Sequence, residues 1–311
     1  MVFRHLTRAG FLLVFLSGCE GPANQAVQNP ATDAPEPFLA DVESRVVTSE
    51  VSGREYQISV ALPQDYSDST KTYPVLYALD ANGQLGTVVE TARLLRLGGQ
   101  LPQLLIVGIG YPVGGRQVNA GPHRIIDLFP TLIPEWIEAV KPNWPGPLPS
   151  YDSGKAPLFL RFLREELFPT IELEYRADPS DRALYGHSAG GWFGVYALLH
   201  GEGAFQRIIA GSPSLWWDNK MMFQLEEAIA EEGRTLSARI FLSVGDEEGD
   251  EAFPGTDCFC MVSNLERLVE VFERRAYDGL VWRHHVFQGE NHQSVVPPTI
   301  SRGLRYIYDS I

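Results

Sequence analysis

The sequence predicts an α/β fold with a mostly parallel central sheet of about eight strands and helices on both faces. From Val46 onward, short β-rich runs alternate with longer helical patterns, which is the order typical of this class. Most of the β-rich runs are continuously apolar, as expected for strands of a parallel sheet that is buried on both faces. The predicted strands are Tyr56–Leu62, Val75–Leu79, Leu104–Gly108, Ala183–Tyr185, Arg207–Ala210, Ile240–Val244 and Trp282–Phe287.

Helical patterns lie between these strands. In the first of them the apolar residues Leu158, Phe159, Phe162, Leu163 and Leu167 follow one helix face. The predicted helices are Ala156–Ile171, Gly190–His200, Val262–Arg275 and Val296–Ile307.

The segment 111–153 interrupts this alternation. It contains eight prolines and four glycines and lacks a long periodic run. Long irregular segments in compact domains often form lids or pocket walls, so we expect one here. A surface insertion without a role is the alternative.

The first forty residues differ from the rest of the chain. Arg4 and Arg8 precede the apolar run Phe11–Leu16, and the sequence then reads Ser17-Gly18-Cys19. This pattern predicts a signal peptide over 1–18, and its end resembles a bacterial lipobox, which would make Cys19 the lipid anchor of an exported, membrane-anchored lipoprotein facing the periplasm. An ordinary signal peptide is the alternative. Residues 19–40 are rich in Pro and Ala and are predicted to be a tether, with the folded domain over 41–311.

Composition excludes some classes of partner. The formal net charge is −14, whereas nucleic-acid binders need a basic face, so no nucleic-acid partner is expected. Beyond Cys19 the only cysteines are Cys258 and Cys260, which are too few for a structural zinc site without added histidines. An exported compartment permits a disulfide between them, although a bridge across one residue is strained. Neither a metal nor a cofactor is indicated, and no oligomeric state is predicted.

The strongest chemical signal is Gly186-His187-Ser188-Ala189-Gly190. It follows a predicted strand and opens a predicted helix, which is the context that a nucleophile elbow of the α/β-hydrolase fold requires. The glycines relieve crowding in the sharp turn, and the helix N-terminus favours developing negative charge. Ser188 is therefore the predicted nucleophile. The alternative is a glycine-rich turn with an idle serine.

A serine hydroxyl needs a base, and in this fold the order along the chain is serine, acid, histidine. His292 follows the last predicted strand and precedes the last predicted helix. The acid is expected in the loop 245–251, where five of seven residues are acidic. Glu248 is the first choice, with Asp246 and Asp250 as alternatives.

Two backbone N–H groups should stabilise the oxyanion that forms on the substrate. One belongs to Ala189, directly after the nucleophile. The other is expected in the loop Asp80–Gly83, where Ala81 and Asn82 are the natural positions.

At these residues the chain resembles the esterase family that contains the enterobactin and salmochelin esterases. The resemblance runs from about Ser52 to Ile307. It departs from the family at Ala81-Asn82, where siderophore esterases usually have Gly-Asn. The matching stretches are Ser52-Gly53-Arg54, Leu62-Pro63, Tyr73–Asp80, Arg124–Asp127 with Pro130, Ser153-Gly154, Glu166–Pro169, Phe205, Ser212–Trp217 and Gly289–Ser294.

The resemblance implies a serine esterase that acts through an acyl-enzyme, with Ser188 and His292 catalytic. Some members of the siderophore branch resemble serine–histidine dyads, which leaves open whether Glu248 completes a triad. The resemblance also implies that Arg124 and Trp216 contact substrate. The alternatives are an ion pair of Arg124 with Asp127 and core packing of Trp216.

The sequence therefore predicts a carboxylic ester hydrolase that acts outside the cytoplasm, with siderophore-type lactones or other small esters as candidate substrates. One alternative is an acyltransferase that passes the acyl group from the same serine to an alcohol. Another is a non-catalytic binding lipoprotein on a hydrolase scaffold, because fold alone does not confer function.

Overall fold

The central feature of the computed structural model is a twisted sheet. The structure describes residues 42–68, 70–113, 117–144, 154–249 and 257–309. Over these residues the sheet has eight strands in the order β1-β2-β4-β3-β5-β6-β7-β8. β2 is antiparallel to both β1 and β4, and every other neighbouring pair is parallel. The strands are β1 (Val42–Thr48), β2 (Glu55–Ala61), β3 (Tyr73–Ala78), β4 (Leu105–Gly110), β5 (Ala177–His187), β6 (Arg207–Gly211), β7 (Ala238–Gly245) and β8 (Leu280–Phe287).

Helices cover both faces of this sheet. α1 and α9 pack together over one face, in a core that includes Val88, Phe241 and Leu304. A larger core on the other face includes Trp192 of α6 and Leu268 of α8. The helices are α1 (Ala81–Leu97), α2 (Gln117–Leu128), α3 (Pro134–Val140), α4 (Ala156–Phe162), α5 (Phe168–Glu174), α6 (Ala189–His200), α7 (Trp217–Glu231), α8 (Met261–Arg275) and α9 (Val296–Ile307), with a 3₁₀ turn at Lys141–Asn143 and a π turn at Leu163–Leu167.

The predicted fold class is confirmed. The seven predicted strands all form, and the predicted helix Val296–Ile307 has the observed bounds. β1 was not predicted, because four of its seven residues in a row are exposed and it therefore lacks an apolar run. Such a sequence is typical of an edge strand that is half in contact with water.

Two loop predictions need correction. The expected loop Asp80–Gly83 is the start of a helix, since α1 begins at Ala81. The segment 111–153 is not irregular throughout, because it contains α2 and α3. Prolines concealed both helices: Pro122 lies inside α2, and Pro134 is the first residue of α3, where its missing N–H is not needed.

The residues predicted to carry the membrane anchor precede the described part of the chain. Residues 1–41 lie outside the described residues, so the predicted signal peptide, the tether and the lipidation of Cys19 stay predictions. Within the described ranges, none of the helices has both the length and the apolar character needed to cross a membrane. The structure joins Cys258 to Cys260 in a disulfide directly before α8.

Candidate active site

Ser188 occupies a sharp turn between β5 and α6. Its φ and ψ are 61° and −118°, a combination that is costly for a residue with a Cβ and that marks a functional turn. The turn forms only because Gly186 has no side chain, since a Cβ there would overlap the carbonyl oxygen of Gly190. The Ser188 N–H donates to the carbonyl of Gly211 at 2.9 Å, which fixes the elbow to the end of β6.

Glu248, which is buried, forms an acid–base pair beside this turn with His292, which is partly exposed. His292 Nδ1 lies 2.5 Å from Glu248 Oε2. The other carboxylate oxygen, Oε1, accepts hydrogen bonds from Ser212 Oγ at 2.5 Å and from the Gly245 N–H at 2.8 Å. Burial alone would raise the pKa of Glu248, but the hydrogen bonds from His292, Ser212 and Gly245 outweigh burial and hold that pKa below its ordinary value. An ionised Glu248 makes His292 Nδ1 the donor, which leaves Nε2 as the basic nitrogen.

The other two acids considered for this role lie elsewhere. Asp246 Oδ1 accepts the Gly289 N–H at 2.7 Å, so this carboxylate ties the loop after β7 to the turn after β8. Asp250 lies outside the described residues. The structure thus brings Glu248, and not Asp246, into contact with His292.

His187 supports His292 from the side, a contact that sequence reasoning missed. His187 is buried, and its Nε2 lies 2.8 Å from the carbonyl oxygen of His292. Because a carbonyl only accepts, Nε2 carries the proton and Nδ1 is bare. Burial, followed by the nearby charge of His292, lowers the pKa of His187 to about 3. No local pattern in the sequence signals this contact, because the two residues are 105 positions apart.

Arg124 connects the elbow to the start of α1. Its Nε and Nη2 donate to the two carboxylate oxygens of Asp80 at 2.6 and 2.7 Å, and Nη2 also lies 3.2 Å from the carbonyl oxygen of His187. The ion pair considered for Arg124 therefore forms with Asp80 and not with Asp127, which pairs with Arg54 at 2.7 Å. The structure places the Arg124 guanidinium in this buried contact and not in the wall of the cavity described below.

The predicted oxyanion donors lie at two helix starts. Ala189 is the first residue of α6 and Ala81 is the first residue of α1, and the N–H groups of a first turn have no acceptor within the helix. The side chain of Asn82 is committed elsewhere: Nδ2 donates to the Tyr111 carbonyl at 2.8 Å, and Oδ1 accepts the Tyr111 N–H at 2.7 Å. Only the backbone N–H of Asn82 remains for the predicted role.

A cavity of about 460 Å³ opens at Ser188 and His292. Ser188 Oγ lies 3.4 Å from Ser214 Oγ at its base. Trp216 belongs to the wall and is also packed, with its ring 6.3 Å from that of Trp136. Trp136 belongs to α3, so the segment 111–153 contributes to the cavity. The other described lining residues are Glu247, Glu248, Gly249, Phe259, Met261 and Asn291.

The chain is similar to known proteins over most of its length. The family model described as "Putative esterase" matches residues 49–295. The ferri-bacillibactin esterase BesA of Bacillus subtilis is 31% identical over 86% of this chain and 90% of its own length. A siderophore enterobactin esterase of Emericella nidulans is 29% identical, over 81% of this chain and 89% of its own. The crystal structure of the BES protein from Bacillus cereus superposes with a TM-score of 0.72 at 31% identity, covering 91% of this chain and all of that one.

Because the imidazole of His187 is buried, we expect the free energy of unfolding to depend on pH. In the unfolded chain the imidazole takes up a proton near pH 6.5, whereas in the folded protein it stays neutral down to about pH 3. Between these values unfolding takes up a proton, so the free energy of unfolding falls as the pH falls, approaching about 1.4 kcal/mol per pH unit. His187→Gln keeps a donor near Nε2 but does not titrate, so it should lose less stability than the wild type between about pH 7 and about pH 5.

Urea unfolding of both proteins across this range measures the difference. Comparing the two cancels other titrating groups such as Asp127, whose pKa burial raises to about 6 against the opposing effect of Arg54. A stability difference that does not change with pH would contradict the prediction.

Proposed function

The chain belongs to the Putative esterase family, and we propose that it is a serine carboxylic ester hydrolase that acts through an acyl-enzyme on siderophore-type lactones or other small esters. The observation that supports this most directly is one cavity that holds Ser188 together with His292, whose Nδ1 is bound by a buried carboxylate. Serine hydrolases of unrelated folds use the same three groups, a nucleophile, a base and an acid that orients the base. The family and its siderophore-esterase relatives support the ester as the bond that is cut.

In the first half-reaction Ser188 Oγ attacks the carbonyl carbon of the ester while His292 Nε2 takes its proton. The carbonyl π electrons move to oxygen, and the resulting oxyanion accepts hydrogen bonds from the Ala189 N–H and from the N–H of Ala81 or Asn82. When the oxyanion collapses, the bond to the alcohol oxygen breaks and His292 protonates that oxygen. The products are the free alcohol and an acyl group on Ser188.

In the second half-reaction a water molecule attacks the acyl carbon and His292 takes one of its protons. Collapse of the second oxyanion returns the electron pair to Ser188 Oγ, which takes the proton from His292. The acid leaves and the enzyme is restored. Throughout both halves Glu248 holds His292 in one tautomer and stabilises its protonated form.

We also propose that the protein is exported and held on a membrane by lipid on Cys19. The order of charged, apolar and small residues before Cys19 supports this. A disulfide between Cys258 and Cys260 is in keeping with an oxidising compartment outside the cytoplasm.

Removal of the nucleophile should abolish turnover. Ser188→Ala should reduce hydrolysis of p-nitrophenyl butyrate by at least about 10³-fold and should prevent labelling by a fluorophosphonate probe. Ser214→Ala is the matched control, since it removes the neighbouring hydroxyl and leaves the nucleophile, so this variant should still be labelled. Labelling or full turnover by Ser188→Ala would contradict the assignment.

The acid assignment is tested by a pair of amide variants. Glu248→Gln keeps the size of the side chain but removes the charge that selects the His292 tautomer, so kcat should fall about 10²- to 10⁴-fold. Asp246→Asn changes a carboxylate two positions away that bonds the Gly289 N–H, and kcat should change far less. Equal losses in the two variants would contradict the role given to Glu248, and no loss in Glu248→Gln would favour a dyad.

If Cys19 is the lipid anchor, the mature protein should begin with an acylated Cys19. Mass spectrometry of the membrane fraction should find an N-terminal peptide that begins with acylated Cys19, because several acyl chains bury enough CH₂ groups to hold a protein on a bilayer. Cys19→Ser should move the protein to the soluble exported fraction. An unmodified Cys19 in soluble wild-type protein would contradict the lipobox.

A further inference from the structure

We infer that the cavity at Ser188 accepts esters without net negative charge and selects against anionic ones. The inference rests on the proposed function, since it takes the ester to react at Ser188, and it goes further by naming the charge class of the substrate. Three aromatic side chains and two carboxylates line the cavity, and its described wall contains no lysine or arginine.

The apolar part of the wall is built from three rings on different elements. Trp136 comes from α3, Trp216 from the turn before α7, and Phe259 from the segment before α8. The ring of Trp216 lies 4.8 Å from that of Phe259 and 6.3 Å from that of Trp136, so the three form one surface. Rings of this size bind apolar or aromatic groups by burying them from water.

The charged part of the wall is acidic. Glu248 is ionised, because its hydrogen bonds hold its pKa below the ordinary value, and it already serves His292. Glu247 is exposed and lines the same cavity. These two carboxylates contribute negative charge to the cavity wall. The formal charge of −14 on the whole chain has the same sign.

The arginines that could offset this charge are already neutralised. Arg124, which the family resemblance assigned to substrate, donates two hydrogen bonds to the buried carboxylate of Asp80. Arg54 forms an ion pair with the fully buried Asp127, with 2.7 Å between Nε and Oδ1. Each cation is paired with one carboxylate, so neither pair adds net positive charge to the site.

Iron-chelating esters differ in the net charge of their iron(III) complexes. A complex of iron(III) with three catecholates is a trianion, whereas a complex with three hydroxamates is uncharged. A trianion would lose hydration in the cavity and meet like charge there, and no cation in the described wall would compensate. The charge of the cavity therefore favours an uncharged ferric ester, or an uncharged ester without iron, over an anionic one.

The test uses two esters of nearly equal shape, the p-nitrophenyl esters of monomethyl adipate and of adipate, which differ in one negative charge. The wild type should hydrolyse the uncharged ester with a kcat/KM at least about tenfold higher at low ionic strength, and added salt should narrow the ratio. Ser188→Ala should bind the uncharged ester more tightly, as measured by quenching of the cavity tryptophans. Among ferric siderophores, a tris-hydroxamate ester should be cleaved in preference to a tris-catecholate lactone.

Charge variants locate the origin of the preference. Glu247→Gln should narrow the ratio of the two kcat/KM values about threefold, and Glu247→Lys should narrow it further. Glu273→Gln is the matched control, because it removes the same charge from an exposed position on α8 outside the cavity wall, so it should leave the ratio unchanged.

Failure of the two proposals can be told apart. If the wild type hydrolyses neither ester, the proposed function fails, and the dissociation constants of Ser188→Ala still decide the charge preference. Equal binding of the two esters, or tighter binding of the anion, would overturn the inference even in an active esterase. An equal effect of Glu273→Gln and Glu247→Gln would overturn it as well.

Discussion

The carboxylate of Glu248 is the interaction on which the site depends. Its two oxygens receive hydrogen bonds from residues that follow three neighbouring strands: Ser212 after β6, Gly245 at the end of β7, and His292 after β8. Burying a carboxylate without these donors would cost free energy. The three hydrogen bonds to Glu248 therefore fix the positions of the three strand ends relative to one another. The same charge fixes the tautomer of His292, and stability and chemistry therefore depend on one group.

A second buried charge organises the other half of the site. Asp80 adopts a left-handed conformation at the start of α1, and its carboxylate is held by Arg124, which also reaches the carbonyl of His187. This contact sets the first turn of α1 against the elbow, where both helix starts can supply backbone donors. Removing one partner of a buried ion pair typically costs about 3–5 kcal/mol, because the other charge is left without compensation. Arg124 thus connects the elbow with the start of α1.

How much of this could be predicted depended on whether the signal was local. The elbow was readable because Ser188 needs glycine at Gly186 and a strand and helix on either side, all within a few residues. His292 and the acidic loop were readable from their order along the chain. The partner of Arg124 was not, since Asp80 and Asp127 are both carboxylates and only the folded path of α2 decides between them. The bond from His187 to the His292 carbonyl joins residues 105 positions apart, so no local pattern could reveal it. β1 and α3 were missed because their local patterns are weak. An exposed edge strand and a helix that begins with proline both lack the apolar periodicity on which prediction relies.

The separation between reaction and substrate follows from where the residues lie. The groups proposed for the reaction sit at the ends of β5, β7 and β8 and at the first turns of α1 and α6, which the packed sheet holds rigidly. The cavity wall is contributed by α3, by the turn before α7 and by the segment before α8, which are connections and vary more easily than the strands. A family relationship at 31% identity therefore supports cleavage of an ester bond more strongly than it supports any particular substrate. The charge of the wall is therefore counted from the residues of this chain and not inferred from its fold.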